Sequence, residues 1–390
     1  MNLFSKKEKN ELVAVFDIGS SSVGAALFYK NSSGSPEIIF SVREEIPITE
    51  KLEFNRFLDL GLKALEEVAK KISLSGLGAP KKTYCTLSSP WYASQTRTIK
   101  LEKNTPFIFT AKMADGLIQK EIALFEEEHI NQYATTDKKA RIIEFKNMKT
   151  TLNGYVTTAP IGEKASKVEM VLFMSMSPES VLQKFEESIG RHLHSKGIIF
   201  SSLAINCFTV ARDMFIMRES FLLIDIGGEV TDISMVKKEI LCESISFPMG
   251  KNFLYRSLAE LLGQTIDQAK SLFALYREGH AEEVLKVRID ESLIKVKADW
   301  LKNFQNSLVN LSNDISIPSV IFTTADEDVS NWFVETIKNE QFNQYTLTES
   351  KFKLVVLDTQ TLHGIASFKD GISRDRFIIL ESIYINRFLK

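Results

Sequence analysis

The chain is poor in the residues that staple small folds or bind metals. Its 390 residues include only three cysteines, Cys85, Cys207 and Cys242, far apart and with no CxxC spacing. An odd count spread this way argues against a disulfide framework and against a zinc site. Five scattered histidines make no ligand cluster. No apolar run approaches the ~20 residues that span a bilayer, and the N-terminal MNLFSKKEKNE is too short and polar for a signal peptide. Neither sign of charge is in excess: 48 Lys and Arg face 50 Asp and Glu, for a formal net charge of −2. Nothing there indicates a nucleic-acid or polyanion partner. The expectation is a globular protein of a reducing cytoplasm. Leu3 and Phe4 beside lysines can brush a membrane surface, or the terminus can simply fray.

What is present is an α/β texture, and the length allows two to four domains. Residues 12–18, 22–29 and 37–45 read as short strands rich in Val, Ile and Phe, with NSSGSP (31–36) as a turn. Phe54, Phe57, Leu58, Leu62, Leu65 and Val68 recur at helical spacing over 54–72, and Gly76, Gly78 and Pro80 stop that helix. A strand at 83–89 completes half of a mixed α/β sheet. Residues 92–172 differ: strands near 96–102, 140–147 and 167–176 surround a helix at 111–129, which reads as a small separate α/β insert. The α/β texture then resumes with helices at 178–194 and 203–214 flanking a strand at 197–202. Beyond a boundary near 217–220 come a helix at 253–263, a mostly helical run over 266–315, strands near 318–324 and 352–357, and a last helix at 374–389.

Two stretches share one pattern. VAVFDIGSSSVGAALF (13–28) and FLLIDIGGEVTDISMV (221–236) each run an apolar strand into Asp-Ile-Gly, turn tightly, and return as a strand. A repeat of this kind implies two halves of similar fold. Glycine permits the tight turn and lets a phosphate approach the amides, and successive turn N–H groups form an anion nest. Ser20, Ser21, Ser22 and Thr231 can add hydroxyl donors. Asp17 and Asp225 suit Mg²⁺, held chiefly through its waters. A single Asp-x-Gly turn is ordinary hairpin chemistry; two copies in matching context predict a phosphate clamp between two domains.

The pair DIGSSSV and DIGGEVTDI resembles the phosphate-1 and phosphate-2 motifs of the actin-like ATPase superfamily, which includes actin, MreB, FtsA, PilM, DnaK-type chaperones and sugar kinases. The insert after about residue 90 lies where FtsA and PilM carry their 1C (SHS2-like) domain, and the 45–54 gap is too short for an actin-type 1B domain. LNGYVTTAPIGEKASKVEMVLFMSMSPESVLQKFEESIGR (152–191) and FPMGKNFLYRSLAELLG resemble the corresponding FtsA passages. The resemblance implies an actin-like (ribonuclease H-like) two-domain α/β fold in four subdomains: 1A over 10–91 and 173–217, 1C over 92–172, 2A over 218–255 and 317–390, and 2B over 256–316. It also implies ATP and Mg²⁺ as cofactors. Asp17 and Asp225 would organise the metal, while Gly19, Ser20, Ser21, Ser22, Gly227, Gly228 and Thr231 would hold phosphates. Gly250 would lie near the nucleotide, and Asn206 would position water.

The sequence also departs from that pattern. The adenosine motif, normally rich in glycine, corresponds to SVIFTTADEDVSNWF (319–333), with Thr323, Thr324, Ala325 and Asp326 at the glycine positions, and Glu229 replaces a frequent phosphate-2 glycine. Side chains there crowd the base, and Asp326 adds negative charge. FtsA's amphipathic tail has no counterpart in SRDRFIILESIYINRFLK (373–390), whose apolar face (Phe377, Leu380, Tyr384, Phe388, with Ile379 and Ile383 close by) suits either the core or a membrane. Glu126, Glu127 and Glu128 form either a docking surface or a solvated helix end. The expected function is an FtsA-like scaffold of cell division that polymerises, or docks a partner through its insert, with at most slow ATPase activity and membrane contact only through a partner. The alternatives are a PilM-like pilus scaffold, a nucleotide-free relative and, last, a sugar-kinase-type phosphotransferase.

Overall fold

The computed structural model describes residues 11–31, 34–130, 139–194, 197–215, 218–312, 316–340 and 351–389. Leu3, Phe4, part of the 31–36 turn and residues 313–315 of the helical run lie outside the described residues. In chain order the first elements are β1 (Glu11–Ile18), β2 (Ser22–Lys30), β3 (Glu37–Glu45), α1 (Phe54–Leu74) and β4 (Lys82–Leu87). The insert follows with β5 (Ala93–Ile108), α2 (Ala111–Ile130), β6 (Ala140–Leu152), β7 (Tyr155–Val156) and β8 (Lys164–Pro178). Then come α3 (Glu179–Gly190), β9 (Ile198–Ser202) and α4 (Leu203–Met214). The second half contributes β10 (Phe221–Ile226), β11 (Thr231–Lys237), β12 (Ile240–Phe247), α5 (Lys251–Leu262), α6 (Ile266–Arg277) and α7 (Glu283–Ser312). It closes with β13 (Val320–Ala325), α8 (Glu327–Lys338), β14 (Lys353–Val356), β15 (Ser367–Phe368) and α9 (Arg376–Phe388).

The two large sheets repeat one plan. In the first, the order is β15-β3-β2-β1-β4-β9; in the second it is β12-β11-β10-β13-β14. Each begins as an antiparallel meander of three strands, and its first strand then pairs in parallel with a later one: β1 with β4, β10 with β13. Parallel pairing requires a crossover, and α1 supplies the first of these. Its buried positions Phe57, Leu58, Ala64, Leu65, Val68 and Ile72 lie on one face, and left-handed Gly76 follows the helix end. The insert carries a third sheet, β5-β8-β6-β7, with its own small core around Phe109, Val168 and Leu172.

One core joins the halves. Residues of β1 and β2, of β10 and β13, and of α4 and α9 form a single buried cluster, in which α4 packs on α9. Residues 378–386 of α9 are all buried, so the last helix serves the fold on every face rather than along one stripe. Among the described residues no helix is long and apolar enough to cross a membrane. Four elements escaped the sequence reading: β7, β12, β15 and α8.

Candidate functional site

Both hairpins close in the same way. The Gly19 amide donates to the Ser22 carbonyl at 3.1 Å, and the Gly227 amide to the Val230 carbonyl at 3.0 Å. A Cβ on Gly19 would stand 3.0 Å from Ser22 O, and one on Gly227 3.2 Å from Val230 O, so both turns favour glycine. The repeat read in the sequence is thus a repeat of backbone geometry.

The two turns lie against each other. The Glu229 amide donates to Ser20 Oγ at 3.0 Å. A Cβ on Gly228 would come within 2.5 Å of the Ser20 carbonyl carbon and the Ser21 nitrogen. Gly250 is wedged behind, with its virtual Cβ 2.2 Å from Gly227 O. The first amides of α5, at Lys251 and Asn252, donate at 2.8 Å to the Gly227 and Gly228 carbonyls. Helix N-termini ordinarily offer such amides to anions; here the chain's own backbone takes them.

The carboxylates are committed as well. Asp17 is 2% exposed, and Arg43 Nη2 donates to it at 2.7 Å while Nε reaches Asp375 at 2.6 Å. Gly24, opposite Arg43 in the β2–β3 ladder, leaves space for that guanidinium: a Cβ there would lie 2.6 Å from Nη2. Burial holds Asp17 above its ordinary pKa, with Arg43 opposing. Burial and the neighbouring Asp17 push Glu381, wholly buried in α9, well up. Asp225 accepts from Thr324 Oγ1 at 2.7 Å. Burial, reinforced by Asp232, pushes its carboxyl up to about 8.

Every hydroxyl expected to hold phosphate has a partner within the chain, whereas Thr323, expected in the adenosine stretch, has none. Ser20 accepts from Glu229, Ser21 donates to Asp326 at 2.8 Å, Ser22 accepts from Arg43 at 2.9 Å, and Thr231 donates to the Met249 carbonyl at 2.7 Å. Thr323 Oγ1 is buried with no partner. Asn206 is wholly buried and donates to Thr86 Oγ1 at 3.0 Å, facing β4 within the fold. Asp326 does not leave bare negative charge, because Lys251 Nζ pairs with it at 2.8 Å and lies 3.3 Å from Asp328. Burial alone would raise Asp326 and lower Lys251; their mutual attraction prevails, leaving Asp326 below and Lys251 above its ordinary value.

Between the hairpins remains a cavity of about 20 Å³, lined by Asp17, Ser20, Ser21, Asp225, Gly228 and Asp326 among others. That is room for about one water, against roughly 300 Å³ for the smallest ordinary ligand pockets. The residues present therefore do not fit a nucleotide and its Mg²⁺ in this arrangement. Arg43, Lys251 and Arg256 escaped sequence reading, although a glycine inside strand β2 and a glutamate at a glycine position were signals of filled space.

Elsewhere, Cys85 and Cys207 are buried, Cys242 is half-buried, and all three are free. Among the described residues no group of His, Cys, Asp and Glu is arranged to hold a metal. Of the acidic end of α2, Glu128 pairs with Arg97.

No protein-family model matches the chain, and no curated protein matches it. Solved structures do. A chain of the PilM–PilN type IV pilus biogenesis complex superposes with a TM-score of 0.60 at 11% identity, over 96% of this chain and 97% of that one. Ethanolamine utilization protein EutJ from Carboxydothermus hydrogenoformans gives 0.42 at 10% identity, over 89% and 85%. A Bacteroides thetaiotaomicron protein described as having an actin-like ATPase fold gives 0.40 at 9%, over 93% and 98%. Paired meander sheets, facing Asp-Ile-Gly turns and the end-to-end superposition on the pilus-complex chain together identify the architecture as the actin-like ATPase fold.

Proposed function

We propose that this chain is a nucleotide-independent scaffold of the PilM kind, working by holding a protein partner rather than by turning over ATP. The observation that carries the reading is the direct contact of the two hairpins at Ser20 and Gly228. A triphosphate between them would have to displace backbone. The partner half of the reading is supported by the superposition, over nearly the full length of both chains, on a protein solved within a two-protein pilus assembly complex. The insert over 92–172, with its separate sheet and core, is the element proposed to face the partner. Membrane proximity, on this reading, comes through that partner.

A second reading is favoured by the retention of both aspartates: an FtsA-like division scaffold whose cleft opens to take ATP and Mg²⁺ and then polymerises. Titration calorimetry of the full chain with ATP and Mg²⁺, followed by sedimentation with and without nucleotide, separates the two. The expected result is no binding heat and one sedimentation profile. Micromolar binding abolished by Asp17→Ala and Asp225→Ala would overturn the first reading and establish the second.

A further inference from the structure

Glu229 stands in the turn of the second hairpin, yet its side chain is 6% exposed. Arg256 in α5 meets it with two donors, Nη1 to Oε2 at 2.7 Å and Nη2 to Oε1 at 2.6 Å, and Asn252 Nδ2 adds a third at 2.8 Å. The third guanidinium nitrogen, Nε, donates to the carbonyl of Thr49 at 2.7 Å. Thr49 belongs to the 46–53 connection between β3 and α1, in the other half of the molecule. Two more contacts fasten this region to the second half: Ile48 of the connection packs into its core, and Lys270 pairs at 2.9 Å with Glu45, the last residue of β3.

We infer that Arg256, held rigid by Glu229 and donating to the Thr49 carbonyl, forms an internal clamp across the mouth of the cleft, fixing the closed orientation of the two halves that a bound ligand would otherwise have to set. The inference rests on the nucleotide-independent reading above. A bidentate arginine–carboxylate pair is directional as well as strong, and a buried carboxylate cannot swing away without leaving charge uncompensated. The shared core around α4 and α9 joins the halves through apolar packing, and the clamp joins them through a separate polar contact. Lysine cannot replace Arg256, because it lacks the fork that reaches Glu229 and Thr49 at once. Because the clamp is encoded in the chain, the docking surfaces keep their relative placement at any nucleotide concentration.

Hydrogen exchange on the full chain tests this, because the Glu229 amide donates across the cleft to Ser20. In Arg256→Met, exchange in 46–53 and at Glu229 should accelerate roughly tenfold or more, while the central amides of β1 and β10 stay protected. Arg256→Lys should behave like Arg256→Met. If the single variants fail to fold, the charge-free pair Arg256→Met with Glu229→Gln carries the test, since no buried ion is then left unpaired. Unchanged exchange at Glu229 and over 46–53 in the folded double variant overturns the clamp. Slower exchange in the wild type on adding ATP and Mg²⁺ overturns instead the nucleotide-independent reading, through a readout that does not involve the variants.

Discussion

Gly228 packs against Ser20 across the cleft so tightly that a Cβ on Gly228 would stand 2.5 Å from the Ser20 carbonyl carbon and 2.6 Å from its oxygen. The clash is with backbone, which cannot rotate aside. Gly228→Ala should therefore cost about 1–3 kcal/mol through overpacking, read as a lower urea midpoint at unchanged slope. Gly190→Ala is the control: that helical position has nothing within 4 Å of its virtual Cβ, and alanine there should be neutral or slightly stabilising. If the two variants behaved alike, the halves would not be touching in solution.

Arg43 compensates Asp17 and Asp375 together. The Asp17 side chain is 3% exposed and that of Asp375 14%, so Arg43→Met strands both charges. Breaking a buried pair costs roughly 3–5 kcal/mol, and the partial exposure of Arg43 favours the lower end. Adding Asp17→Asn should restore part of that loss, because the most deeply buried unpaired charge is then gone. Chemical denaturation of the two variants checks the order; a double variant no more stable than Arg43→Met would remove Asp17 as the origin of the cost.

Asp225 gives a pH dependence opposite in sign to that of an ordinary ion-paired carboxylate. Folded, its carboxyl titrates near 8; unfolded, it titrates near the usual ~3.9. Between those values the native state holds a proton that the unfolded chain has released, so this group's contribution to stability falls as pH rises toward 8 and is constant above it. Asp225→Asn removes the titration, and its amide oxygen can still accept from Thr324. The variant should match the wild type near pH 4 and exceed it in melting temperature at pH 8. Equal melting temperatures at pH 8 would mean that Asp225 is ionised in the native state without penalty.

The sequence announced the fold more fully than it announced the state of the site. The hairpins, the helical spacing of 54–72 and the strand–helix alternation are local signals, and each became the element expected. Helix α8 is hidden in the sequence because its first residues fall in the stretch that corresponds to the adenosine motif, although Val329, Phe333 and Ile337 repeat at helical spacing and are buried. Strand β12 was missed because ILCESISF is an edge strand with only two buried residues. The ion pairs around the cleft were illegible for a different reason. Arg43 to Asp375, Lys251 to Asp326 and Arg256 to Glu229 join elements that only the tertiary fold brings together. What the sequence did offer was residues out of place: Glu229 and Asp326 where glycines were expected, and Gly24 inside a strand.

The insert is wired to the helices between the halves through Glu144. Tyr384 Oη in α9 donates to Glu144 Oε1 at 2.8 Å, and Ser202, just before α4, donates to Oε2 at 2.9 Å. Burial pushes the Glu144 carboxyl up, with those hydrogen bonds opposing, and Lys146 sits 4.2 Å from the centre of the Tyr384 ring. Tyr384→Phe removes one donor from a buried acceptor and should cost about 1–3 kcal/mol. Glu144→Gln should cost less, since the amide oxygen still accepts and no charge remains to be buried. A double-mutant cycle should give a coupling within about 0.5–3 kcal/mol; strict additivity would mean that the contact is not made. If the coupling is present, a load on the insert is felt at the junction of the two large sheets without a nucleotide as intermediary. That is the mechanical property the proposed scaffold role requires, with a partner and not the cleft delivering the signal.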